Sequence, residues 1–128
     1  MADSRNLRVL DAAFQLVARV HVAADHLDVD RVPGLRNQLL RAVDSVPANV
    51  AEGARRASRG DFARFLRIAL GSADEAGTHL RIAWHAQALD TPEYHASERL
   101  RVTVCKMLYQ LIRSLEEADA HTHNSKSA

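Results

Sequence analysis

Cysteine is all but missing from this chain of 128 residues: Cys105 stands alone, so no disulfide within the chain can staple the fold. Nothing then points to an oxidising compartment. Aromatic residues make up only 5% of the sequence, too few for an interleaved exposed set on which single-stranded bases could stack, which argues against sequence-specific reading of them. No apolar run approaches the roughly 18 to 20 residues that a membrane span requires. The start of the chain, Met1 to Asn6, is polar, and the apolar stretch behind it is interrupted by Asp11 and Arg19. No secretory leader and no membrane partner are expected, which makes the cytoplasm the expected location. Strand-type alternation is missing too. With 47% hydrophobic residues, the chain can bury a core as one domain without metal or cross-links.

Lysine is the other shortage. Only Lys106 and Lys126 are lysine among 17 basic residues, and the rest are arginine, in a chain of formal net charge +1. The arginine fork suits phosphate and carboxylate and tolerates partial burial. A GC-rich genome would produce the same bias without functional meaning.

What is present is helical periodicity. Three breaks divide the chain: Asp28 to Gly34, holding Pro33-Gly34; Arg56 to Gly60, with Ser58 as N-cap and Asp61 three residues on; and Leu89 to Pro92, with Thr91 as N-cap and Pro92 at the first helical position. Between them lie four segments of about 22 to 30 residues, each with apolar residues at the helical period. The first carries Leu7, Leu10, Phe14, Val17, His21 and Ala24 beside a second stripe of Val9, Ala13, Leu16, Val20, Ala23 and Leu27. The second buries Leu35, Leu39, Val43, Val46 and Val50; the third Phe62, Leu66, Ala69, Ala73, Ala76 or Gly77, Leu80 and Trp84. The fourth presents Leu100, Val104, Met107, Leu108, Leu111 and Leu115. Long helices on short loops pack as an all-α, antiparallel up-down-up-down four-helix bundle, here over residues 1–118, with a disordered polar tail over 119–128. Phe65, Ile68, Ser72, Glu75, His79 and Ile82 form a further lane outside the third helix's core stripe, which points to a subunit interface.

Catalytic patterns are wanting. Seven histidines are present, but no Glu-x-x-His pair of the kind that builds a di-metal bundle. Glu75 with His79, and His21 with Asp25, are spaced as helix-surface pairs, while His121 and His123 fall in the polar tail. Cys105 reads as a small hydrophobe at the edge of a stripe. Gly71 to Gly77 is rich in small residues inside a helical pattern, which suits close approach of another helix. No enzyme, cofactor or metal site is expected. Arg55, Arg56, Arg59, Arg64 and Arg67 crowd the turn between the second and third helices, against only Asp61. Two readings of that cluster stand: weakly specific attraction of an RNA or DNA backbone, or a solvated, ion-paired helix end.

The stretch Ser45-Val46-Pro47-Ala48-Asn49-Val50-Ala51-Glu52-Gly53 places a proline inside an unbroken helical pattern, where it removes a hydrogen bond and bends the helix. It resembles the S-[IV]-P-x-N-[IV]-A-E-G signature of the proteins encoded by 23S rRNA intervening sequences. Arg59, the Phe62-x-x-Phe65-Leu66-x-Ile68-Ala69 run, Gly71-Ser72-x-x-Glu75, and Lys106-Met107-Leu108 with Leu111-Ile112 continue that pattern from Leu7 to Leu115. The resemblance implies a bacterial four-helix bundle assembled as a pentameric ring. It also implies kinship with the accessory variability determinant of diversity-generating retroelements, a basic adaptor for a reverse transcriptase and nucleic acid. On that basis the chain is expected to be a non-catalytic homo-oligomeric adaptor or scaffold with salt-dependent RNA or DNA binding. The alternative is a module that binds protein only. Asn49 and Glu52 would hydrogen-bond to Ser72 and Glu75 or across a subunit boundary, and Gly53 would allow close helix approach.

Overall fold

The computed structural model describes residues 4–127, with side chains through Thr122. Residues 1–3, Ala128 and the side chains beyond Thr122, His123 among them, lie outside the described residues. Four helices follow in order: α1 (Ser4–Asp25), α2 (Leu35–Ala54), α3 (Arg59–His85) and α4 (Thr91–Ser127). Each packs on the next and α4 closes back on α1, with no close backbone approach across either diagonal among the described residues. This is the antiparallel up-down-up-down square bundle that the periodicity predicts.

The square explains a difference on α1. Val9, Ala13, Leu16, Val20 and Ala23 are buried in the core. Of the neighbouring stripe only Ala24 is buried; Leu7 is 60% and Phe14 56% exposed. A helix with two neighbours can bury about half its circumference, and these two residues stand outside that arc. His21 Nε2 lies 2.7 Å from Asp44 Oδ1, and Arg36 reaches Asp25 at 3.3 Å, so the Leu7–Phe14–His21 row runs along the α2 side of α1. Arg5, bonded to Ser114, and Arg19, paired with Glu93, mark its α4 side.

The helix ends follow local chemistry. Gly34, at φ +79°, supplies the left-handed residue before α2. Ser58 caps α3 by accepting the Asp61 N–H at 3.0 Å. The cap of α4 is Asp90, one residue before the expected Thr91: its Oδ1 accepts the Glu93 N–H at 2.9 Å. Thr91 Oγ1 instead accepts the Trp84 indole N–H at 3.1 Å. A carboxylate outcompetes a hydroxyl here because it also favours the positive end of the helix dipole. At the end of α3, Gln87 takes φ +59° and Ala88 N–H returns to the Ala83 carbonyl at 2.8 Å, a Schellman closure with glutamine at the glycine position. The Ala88 carbonyl then accepts the Asp28 N–H at 2.8 Å, tying both turns at this end of the bundle. The arginine-rich turn between α2 and α3 lies at the other end.

Beyond Asp119, α4 remains helical through Ser127, where the polar composition predicted a disordered tail. No glycine or proline follows Pro92 to stop it, and helix propagation adds one hydrogen bond per residue fixed. Arg59 bonds Thr122 Oγ1 at 3.3 Å, inside that extension.

Two variants test the local account. A side chain on Gly53 would put Cβ 2.8 Å from Phe65 Cβ and 2.9 Å from a Phe62 ring carbon. Gly53→Ala should therefore lower unfolding free energy by about 1–3 kcal/mol in urea titration. Gln87→Gly should raise it by about 1 kcal/mol by relieving left-handed strain, seen as a higher thermal midpoint; an unchanged midpoint would refute the strain.

Candidate interaction face on α2 and α3

Helix geometry splits the Ser45–Gly53 segment in two. Val46, Pro47, Val50 and Gly53 are buried, whereas Ser45, Asn49 and Glu52 are half-buried along the outer edge facing α3. Pro47 lacks an N–H, yet α2 stays helical through it. One turn on, the Asn49 amide donates to the Ser45 carbonyl at 2.8 Å and to Ser45 Oγ at 2.9 Å. Ser45 Oγ in turn lies 2.9 Å from Ser72 Oγ. The expected crossing from α2 to α3 exists, but Ser45 makes it. Asn49 is satisfied inside its own helix, because a side-chain amide at i+4 reaches the carbonyl below it.

Glu52 does not cross at all. It pairs with Arg55 and, at 3.0 Å, with Arg56. The hydrogen bond and charge of Arg55, aided by Arg56, hold its carboxyl below the usual carboxylate range. On α3, Glu75 is exposed and sits 3.4 Å from His79 Nε2. His79 is not a surface residue: it is 8% exposed, and its buried Nδ1 has no hydrogen-bond partner among the described residues. A cavity of about 320 Å³ opens on this edge, lined by Gln38, Arg41, Ala42, Ser45, Ser72 and Glu75. Ile68 and Ile82 stand exposed along the same helix edge.

Phe65 carries this face to the arginine-rich end. The Arg56 and Arg64 guanidiniums lie 4.7 Å and 4.5 Å from its ring centroid, two cation–π contacts on one ring. The cluster is better balanced than the sequence suggests. Arg55 and Arg56 share Glu52, Arg64 lies 3.6 Å from Asp61, Arg67 pairs with Glu116 of α4, and Arg59 donates to Thr122. Five guanidiniums therefore face three carboxylates. Glu116 enters only because α4 packs beside α3, which no local pattern discloses. These pairs are exposed (Arg55 is 70% so) and exposed pairs are worth at most about 1 kcal/mol, so a phosphate can compete for them.

Elsewhere, the small residues of α3 act differently from expectation. Gly77 leaves room for the Arg101 side chain rather than for a helix backbone, and Gly71 faces open space. Arg101 is held by Glu98 and by Asp74 at 3.4 Å, and its Nη1 lies 3.5 Å from Cys105 Sγ. The Glu98 hydrogen bond drives its guanidinium still further from deprotonation. Burial pushes the Cys105 thiol up, against the opposing pull of Arg101. Among the described residues, no three His, Cys, Asp or Glu side chains gather as metal ligands, and no helix is long and apolar enough to cross a membrane.

The architecture has a counterpart among solved structures. A protein of unknown function from the S23 ribosomal protein family of Bacteroides thetaiotaomicron superposes with a TM-score of 0.77 at 23% identity, covering 85% of this chain and 98% of its own. At that identity the likeness speaks for the fold. No curated protein sequence matches. The model of the 23S rRNA-intervening sequence proteins matches residues 5–110, which takes in the split Ser45–Gly53 segment and the whole α2–α3 face; the chain belongs to that family.

Proposed function

We propose that this protein is a non-catalytic cytoplasmic scaffold that assembles with copies of itself, as the pentamer that its family resemblance implies. One observation carries the reading. The polar half of the Ser45–Gly53 segment is spent on the bundle's surface, where Ser45, Asn49 and Ser72 form a hydrogen-bonded row. Exposed Ile68 and Ile82 flank that row. A monomer needs neither the row nor the isoleucines, and a polar row within an apolar border suits the register of a protein interface.

The arginine end supports a second element of the proposal, weak and sequence-indifferent attachment to RNA or DNA backbone. Its guanidiniums outnumber their carboxylates and are solvent-accessible. The competing reading, a protein-only module whose partner could be of the reverse-transcriptase kind, draws on the fact that each of the five has a partner within the chain.

Absolute mass in solution, measured with and without a short structured RNA at low and moderate salt, separates these. An oligomer that gains RNA at low salt and sheds it as salt rises fits the adaptor. Glu52→Gln gives the sharper test: it removes the carboxylate shared by Arg55 and Arg56. RNA affinity at low salt should rise several-fold, and the dependence on log salt should steepen by roughly one counterion per phosphate newly contacted. An oligomer indifferent to RNA in both forms would leave the protein-only module.

A further inference from the structure

The cavity of about 320 Å³ between α2 and α3 carries both signs of charge, and the fold does not set one against the other. Its floor is the Ser45–Ser72 hydroxyl pair. Arg41 stands one turn before Ser45 on α2, and Glu75 one turn after Ser72 on α3. The helices run antiparallel, so both steps lead the same way, and the guanidinium and the carboxylate stand on opposite walls above the hydroxyls. They line one cavity yet do not pair. Arg41 makes no ion pair among the described residues, and Glu75 meets only His79, at 3.4 Å. The hydroxyl floor has a proton to spare. Of its two O–H groups, one is used in the 2.9 Å bond between them. Asn49 brings a donor to Ser45 Oγ and takes none. One hydroxyl proton is therefore left without an acceptor among the described residues. The side-chain amide of Gln38, on the same wall as Arg41, also has no partner among them.

We infer that this cavity binds a small zwitterion of the α-amino acid type, its carboxylate on Arg41 and the spare serine hydroxyl, its ammonium on Glu75. The planar guanidinium meets a carboxylate through two parallel hydrogen bonds. His79, buried behind Glu75, holds that carboxylate on the α3 wall to receive the ammonium. Selectivity comes from repulsion as much as from attraction. A ligand with a carboxylate alone would face Glu75, and one with an ammonium alone would face Arg41. Only a molecule carrying both satisfies the two walls together. The lining also limits the rest of the ligand. Ala42 is its one apolar residue, so a nucleobase, an acyl chain or a large apolar side chain gains little there. The Gln38 amide can both donate and accept, which favours a short polar side chain such as that of serine, asparagine or glutamine. Every group in the site belongs to one chain, so the site does not rest on the self-assembly proposed above.

Equilibrium dialysis of the full chain against labelled L-serine, L-asparagine and L-glutamine tests this. At least one of the three should saturate a single site per chain at millimolar concentration or below. Its N-acetyl derivative lacks the ammonium and its α-amide lacks the carboxylate, so each should compete about tenfold more weakly or worse. Arg41 and Glu75 are exposed, so Arg41→Gln and Glu75→Gln should keep the wild-type far-ultraviolet circular dichroism while losing binding about tenfold each. The double variant Arg41→Glu with Glu75→Arg should recover binding, because a zwitterion can enter the other way round. No uptake of any of the three amino acids would overturn the proposal. So would derivatives that compete as well as the parent, which would mark a site for one charge only, or a loss of binding that the charge exchange fails to restore. Light scattering on the same samples keeps the two readings apart. An oligomer that takes up no amino acid overturns the zwitterion site and leaves self-assembly standing, and a monomer that binds one does the reverse.

Discussion

The tight approach of α2 to α3 at Gly53 sets up most of what distinguishes this surface. There is no room for even a methyl group between Gly53 and the Phe62–Phe65 turn. With the two backbones that near, Ser45 and Ser72 come within a direct hydroxyl–hydroxyl hydrogen bond, 2.9 Å, with no water between. The same proximity lays Arg56, in the turn after α2, over the Phe65 ring of α3. Phe62 fills the core from the other side of that turn, fully buried. One missing side chain thus couples core packing, the polar row and the position of the arginines.

Much of the fold was legible because its signals are local and repeated. A 3.6-residue period, a Pro-Gly turn and a serine cap each report on a few neighbouring residues, and the four helices follow from them. The misreadings share a cause: they depended on which neighbour a residue meets. Two largely apolar stripes run along α1, and only the placement of α2 and α4 leaves Leu7 and Phe14 outside. His79 reads as half of a surface pair with Glu75, but the fold buries it. Arg101 could not be foreseen beneath Gly77, since a glycine in a helix says that something is near and not what. Thr91 and Asp90 were both plausible caps by type, and the indole of Trp84, seven residues back, drew the threonine hydroxyl away.

The site was legible in its residues and less so in its connections. Pro47, Gly53, Ser72 and Glu75 lie on or beneath the face where the sequence put them, yet the bond across the helices belongs to Ser45. Glu52 turned out to serve the arginine end and not the row. Such errors are characteristic of polar side chains, whose partner depends on tenths of an ångström while their placement on a helix face depends only on the period.

Local charge and symmetry together account for how a nearly neutral chain could hold a polyanion. A monomer of net charge +1 exerts little long-range attraction, and its arginine end exceeds its carboxylates by a small margin. In the proposed assembly that end recurs once per copy, so the small excess would be multiplied and one strand could meet several of them at once. Binding would thus be a property of the assembly and nearly invisible in the protomer. Phe65 belongs to both the arginine end and the α2–α3 face, so packing at the subunit boundary would also fix the guanidiniums above its ring. On this argument self-association comes first, and any affinity for RNA or DNA is derived from it.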